Sequence, residues 1–153
     1  MLRRIPWRRV APVDLRAPYL VHAGIFVLDR WRSLPAFLRE TARVRRTLRA
    51  ADGLIGFAFV ARFRRRTFTA ITAWEDRACL GPFVTGREHR HAAGTTRPHL
   101  GAGSKLVSWT SYGSELPPLP ERVARELEAV PGLGELDGSA GVPVGAGSAF
   151  GQA

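Results

Sequence analysis

Residues 19–28 are apolar on both alternating sets of positions. Tyr19, Val21, Ala23, Ile25 and Val27 fall on one side, and Leu20, His22, Gly24, Phe26 and Leu28 on the other. Successive side chains of a strand point to opposite faces, so a strand with two apolar faces has to be covered on both. Such a strand sits centrally in a sheet. His22 is the exception within it: an unpaired polar group in that setting costs free energy, so it needs a partner or a pocket.

The segments around this strand have clear periods. Ser33 can cap a helix in which Leu34, Phe37, Leu38, Thr41, Val44 and Leu48 recur at helical spacing, with Pro35 in its first turn and Asp52-Gly53 as its stop. Residues 54–63 and 67–74 are rich in β-branched and aromatic residues, and Arg64-Arg65-Arg66 is short enough to join them as a hairpin. Glu75-Asp76 marks a helix start that Gly81-Pro82 is expected to break, with a second segment from residue 82 to about residue 93. A last strand over 105–110 and a short helix over 121–130 complete the set.

At 153 residues and 45% hydrophobic content the chain can close one core. The expected division is a basic irregular arm over 1–18, with Trp7 as its apolar anchor, one domain over 19–130, and a flexible tail over 131–153 that is poor in large apolar groups. The longest apolar run, residues 54–61, is far short of the roughly 20 residues of a membrane-spanning helix. Pro6, Arg8 and Arg9 interrupt the start, so no secretory leader is expected and the default location is cytoplasmic. The single cysteine, Cys79, can form no internal disulfide, and with four histidines it lacks the paired spacing of a structural zinc site.

Net charge is +10, concentrated in residues 1–66, where 16 arginines face four acids. A basic half-chain can attract nucleic acid or an anionic surface. No aromatic stacking platforms are interleaved with these arginines, so nucleic-acid contact ranks last among the functions considered. Phosphate-cradling glycine loops, a GxSxG elbow and carboxylate pairs at catalytic spacing are all missing from the sequence, which removes the main support for kinase and hydrolase functions.

The order of elements is β-α-β-β-α-β. It packs as a four-stranded antiparallel sheet with both helices on one face: an α+β, ferredoxin-like fold. Its other face would stay open, and a second copy of the sheet would cover it. The run Gly53-Leu54-Ile55-Gly56-Phe57, then Thr67-Phe68, Thr72-Ala73-Trp74-Glu75-Asp76-Arg77-Ala78, Phe83-Val84 and His89 resembles the dimeric α/β-barrel superfamily. Within it the sequence is most similar to antibiotic-biosynthesis-monooxygenase-like members, including spheroidene-monooxygenase-like domains, over roughly residues 19–110. The resemblance implies a homodimer whose two sheets close into a barrel, with a pocket between each sheet and its own helices. Pro82 departs from that pattern.

The resemblance also nominates residues. Trp74 would border a substrate pocket, or else simply fill the corner between strand and helix. His89 would reach the pocket from the second helix and could ligate haem iron as a neutral imidazole. His91 is its rival, and because a helix turns 100° per residue at most one of the two can face the pocket. Phe57 and Trp109 are expected to line the substrate pocket with Trp74. His22, Trp74 and His89 are the candidate catalytic residues. Cys79 reads as buried packing. The leading expectation is thus a small monooxygenase-like oxidoreductase for an apolar or aromatic metabolite, with haem or with no cofactor. The alternative is a non-catalytic homodimeric ligand-binding protein of the same fold.

Overall fold

The computed structural model describes residues 1–133. Its elements run β1 (Leu2–Arg9), β2 (Pro18–Val27), α1 (Leu34–Leu48), β3 (Leu54–Arg62), β4 (Thr67–Trp74), α2 (Arg77–Thr85), α3 (Arg87–Thr96), β5 (Lys105–Tyr112) and α4 (Pro120–Glu128). The strands form one antiparallel sheet in the order β1-β3-β4-β2-β5. The apolar strand β2 lies between β4 and β5, where its two-sided pattern requires it to be. The fold is α+β and ferredoxin-like, with β1 as an additional edge strand.

That edge strand corrects the expectation of an irregular arm. Ile5 pairs with Phe59 and packs with the helix-side cluster, whereas Trp7 packs on the opposite side with Ile55. A register shift between Ile5 and Arg8 accommodates Pro6, whose missing N–H costs least at a bulge on an edge strand. Gly56 makes the pairing fit, because a Cβ there would run into the Trp7 ring and stand 2.9 Å from the carbonyl oxygen of Arg8. The arginines that make this segment look like a solvated arm also discourage another strand from adding to the edge.

The helix break is also displaced. α2 continues through Pro82 to Thr85, and the chain turns at Gly86, which is extended (φ −61°, ψ 153°). Proline removes one ladder hydrogen bond without closing the helix, while Asp76 holds its start by accepting from the Cys79 amide at 2.9 Å.

Two apolar layers flank the sheet. On the helix side, Trp74, Leu54, Phe57 and Leu20 pack with Leu48 of α1 and Leu80 of α2. On the outer side, Tyr19, Val21, Ile55, Ala73 and Trp109 pack under Val123 and Leu127 of α4. α4 therefore covers half of the face expected to be open; Ile25, Val60, Ile71 and Val107 remain partly exposed on the other half. Past α4, Gly132 is buried and the Leu133 amide donates to the Ser104 carbonyl at 2.8 Å. The expected flexible tail therefore begins with residues docked on the body, and its remainder, 134–153, lies outside the described residues. Among the described residues no helix is long and apolar enough to cross a membrane.

Candidate active site

A cavity of about 490 Å³ lies between the helix side of the sheet and the helices α1 and α3. Gly24 of β2 pairs with Ala70 of β4, and both lie on the cavity floor, where the side chains of Leu106 and Phe26 lean over Gly24. A Cβ on Gly24 would come within 2.7 Å of Leu106 Cδ2 and 2.8 Å of Phe26 Cζ. Phe59, Leu106, Val44 and Phe83 contribute much of the apolar lining. At 490 Å³ the cavity has the size of a small-molecule site.

Two histidines face this space. His22 stands on the floor beside Thr72 and Ser108, its partners in register on β4 and β5, and its Nδ1 lies 2.8 Å from Ser108 Oγ. It thus has both the partner and the pocket that its apolar strand demands. Burial above all, then the nearby His89 and Arg77, push its pKa down to about 4. His89 comes from the first turn of α3 and sets its ring edge-to-face on Phe83, with centroids 5.3 Å apart. Burial lowers its pKa, partly opposed by a hydrogen bond that it donates to the Val84 carbonyl. Both imidazoles are therefore neutral near pH 7, and each then carries one ring N–H donor and one lone-pair acceptor nitrogen.

The remaining nominated residues are placed differently. His91 is 54% exposed and lies outside the cavity lining, which resolves the choice between the two helix histidines. Trp74 is fully buried behind the cavity wall, 5.2 Å from Phe83 between centroids, and its indole N–H donates to Thr72 Oγ1 at 2.9 Å. Thr72 in turn donates to the His22 carbonyl at 3.3 Å. Trp74 is thus a support for the floor and not a surface a ligand can touch. Phe57 is buried in the same cluster, and it is Phe59, two residues on along the same face, that reaches the cavity. Trp109 is on the other side of the sheet, under α4, with its indole N–H on Ser111 Oγ at 3.1 Å. The expectation that it lines the pocket is corrected by strand parity: Leu106 and Ser108 point to the cavity side, so Trp109 points away.

Cys79 has its thiol pushed up in pKa by burial first and by Asp76 next, so it is not a thiolate nucleophile. Among the described residues no group of three or more His, Cys, Asp or Glu side chains could hold a metal ion. One lining residue escaped the sequence reading. Glu40 sits in the middle of the α1 face toward the cavity, between Phe37 and Val44, and is 2% exposed. Its signal was an acid at i+3 from Phe37, inside an otherwise apolar stripe.

No protein-family model and no curated protein matches the sequence. Solved structures do share its fold. SnoaB, a cofactor-independent oxygenase from Streptomyces nogalater, aligns with a TM-score of 0.52 at 14% identity, covering 62% of this chain and 94% of SnoaB. A protein of Nitrosomonas europaea, provisionally called an antibiotic biosynthesis monooxygenase, aligns with a TM-score of 0.53 at 13% identity over 59% of this chain and 95% of its own. A provisionally named monooxygenase of Fusobacterium nucleatum gives 0.56 at 10% identity over 69% of this chain, and here the match spans 50% of the other chain. What these structures share with the chain is the ferredoxin-like α+β fold.

Proposed function

We propose that this chain is a small monooxygenase-like enzyme that oxidises an apolar or aromatic metabolite bearing an acidic hydroxyl, in the cavity beneath α1 and α3. The observation that carries this reading is the pair of neutral histidines, His22 and His89, on the walls of an otherwise largely apolar cavity. A neutral imidazole can take the proton of a phenolic hydroxyl, and apolar surroundings keep the resulting anion poorly solvated and electron-rich. His89 is the base in this scheme. His22, held by Ser108, shapes the opposite wall. Such an anion can itself reduce dioxygen: one oxygen atom enters the ring carbon as a new carbonyl, the other leaves as water, and the two hydrogens of that water come from the hydroxyl and the ring C–H. Phenol plus dioxygen then balances with quinone plus water, without an external reductant.

The description of SnoaB as cofactor-independent supports this form, since the two chains share a fold. His89 also fits a haem iron in one respect, because a neutral imidazole has a ring nitrogen with a lone pair to give. His89 would then hold the iron, and haem would supply the activation of oxygen. The partly exposed Ile25, Val60, Ile71 and Val107 support a homodimer formed through the half of the sheet that α4 leaves uncovered.

Oxygen uptake with a panel of naphthols and dihydroxynaphthalenes tests the catalytic reading. Wild type should consume one dioxygen per quinone formed, and His89→Ala should lower kcat by about 100-fold or more. Addition of haemin should leave the wild-type rate unchanged. Saturable binding with no uptake would leave a ligand-binding protein, and a rate that appears only with haemin would transfer the chemistry to the iron.

A further inference from the structure

The β3–β4 hairpin ends in a concentration of charge that neither the core nor the cavity uses. Arg62, Arg64, Arg65 and Arg66 stand at its turn, and none of their guanidinium groups has an ion pair among the described residues. The start of β1 lies alongside: Leu2 pairs in register with Arg62, and the Met1 carbonyl accepts from the Phe63 amide at 3.2 Å. Met1, Leu2, Arg62, Arg64 and Arg65 line an open hollow of about 320 Å³. Next along the turn, Arg66 sets its guanidinium 5.9 Å from the centroid of the Trp31 ring. It does so from a left-handed backbone (φ 49°), where glycine would be less strained. Leu2 is 48% and Trp31 50% exposed, so two large apolar side chains stand in water among these arginines. Asp29, the acid close to Trp31 in the chain, is already engaged, with Arg30 Nε 3.6 Å from its Oδ2 and Ser33 Oγ donating to its Oδ1 at 3.1 Å.

We infer that this end of the molecule is a docking surface for an anionic lipid bilayer. The arginines attract the charged headgroups, while Leu2 and Trp31 have apolar surface to leave among them, and binding at a membrane interface strengthens with both. Tryptophan favours that depth, where its ring is in apolar surroundings and its N–H stays wet. Protection of a sheet edge accounts for charges on β1 but not for those of the turn, because β3 and β4 are each paired on both sides. A nucleic acid would be drawn by the same charge. The exposed leucine gives its bases nothing to stack on, however, and Arg66 takes one face of Trp31, the exposed tryptophan. Docking at this surface does not depend on the chemistry proposed for the cavity.

The test sediments the full chain with vesicles of phosphatidylcholine alone and of phosphatidylcholine and phosphatidylserine in equal parts. Wild type should bind the mixed vesicles and not the neutral ones, added salt should release it, and its tryptophan emission should move to the blue on binding, a shift that Trp31→Phe loses. Arg64→Gln combined with Arg65→Gln should weaken binding about 25-fold, at about fivefold for each arginine. Arg46→Gln combined with Arg49→Gln removes the same charge from exposed positions at the far end of α1, near the start of β3, and should leave the affinity within about twofold of wild type. Equal losses from the two pairs would overturn the inference, since net charge and not this surface would then hold the vesicle. Binding without the Trp31 shift, or no binding to the mixed vesicles, would overturn it as well. Tighter binding to a DNA duplex than to the mixed vesicles, lost in the hairpin variant, would replace the bilayer with nucleic acid as the partner.

Discussion

Trp74→Ala should cost about 3–5 kcal/mol of folding stability, which is a large share of what a domain of this size possesses. Trp74 has no exposed surface and packs against Phe83 and the cluster of Leu20, Leu48, Leu54, Phe57 and Leu80, contributed by both the sheet and the helices above it. The substitution opens a void between layers. It also removes the donor that Thr72 Oγ1 accepts, and Thr72 fixes the backbone of His22 at the cavity floor. Trp74→Phe separates the two effects: most of the packing remains, and the loss should be about 1 kcal/mol from the missing N–H. Urea denaturation reads both values. An alanine variant within 1 kcal/mol of wild type would show that the strand-to-helix corner is not packed as described.

The second large effect follows from His22. Its pKa is about 4 in the folded protein against 6.5 for an ordinary histidine, so in acid the unfolded chain binds a proton that the folded chain refuses. Above pH 6.5 neither state is protonated and the group contributes no pH dependence. As pH falls from 6.5 toward 4, stability declines by about 3 kcal/mol from this residue alone, and below 4 the loss levels off. Carboxylates titrate in the lower part of the same range, so the comparison is with His22→Gln, which keeps a polar side chain near Ser108 and does not titrate. The stability difference between wild type and His22→Gln should shift by about 3 kcal/mol between pH 7 and pH 4, to the disadvantage of wild type. Parallel pH profiles would mean that His22 can be protonated in place.

How much of this was legible in the sequence depended on whether a residue's period carried its environment. β2 was readable because both faces of one strand are apolar, and that fixed the centre of the sheet. The histidine inside it had to be accommodated and is. β1 was hidden by arginines and Pro6: its two inward residues, Ile5 and Trp7, straddle a bulge and point to opposite sides, so no simple alternation marks them. Trp109 was assigned to the wrong face because a strand covered on both sides gives two equivalent alternating sets, and only the register with β2 tells which one meets the helices. Glu40 was passed over because an acid on a helix reads as solvated surface. Its carboxylate is surrounded by Arg39 and Arg43 of α1 and by His91 of α3. Gly86, not Pro82, ends α2, since a turn to extended geometry stops a helix more completely than one lost hydrogen bond does.

A binding site for a hydroxylated aromatic molecule in the space between the sheet and α3 must be lost when that space is filled. Ala93 lines that space and is itself exposed, so Ala93→Trp can obstruct the cavity without disturbing the core. The decisive measurement is a fluorimetric titration of wild type and Ala93→Trp with 2-naphthol, whose neutral and anionic forms emit at different wavelengths, alongside melting curves for both proteins. Wild type should bind one naphthol per chain with part of it as the anion, and Ala93→Trp should lose that binding at an unchanged melting temperature. Equal binding by the two proteins would place the probe elsewhere on the chain and contradict the assignment of this cavity as the site.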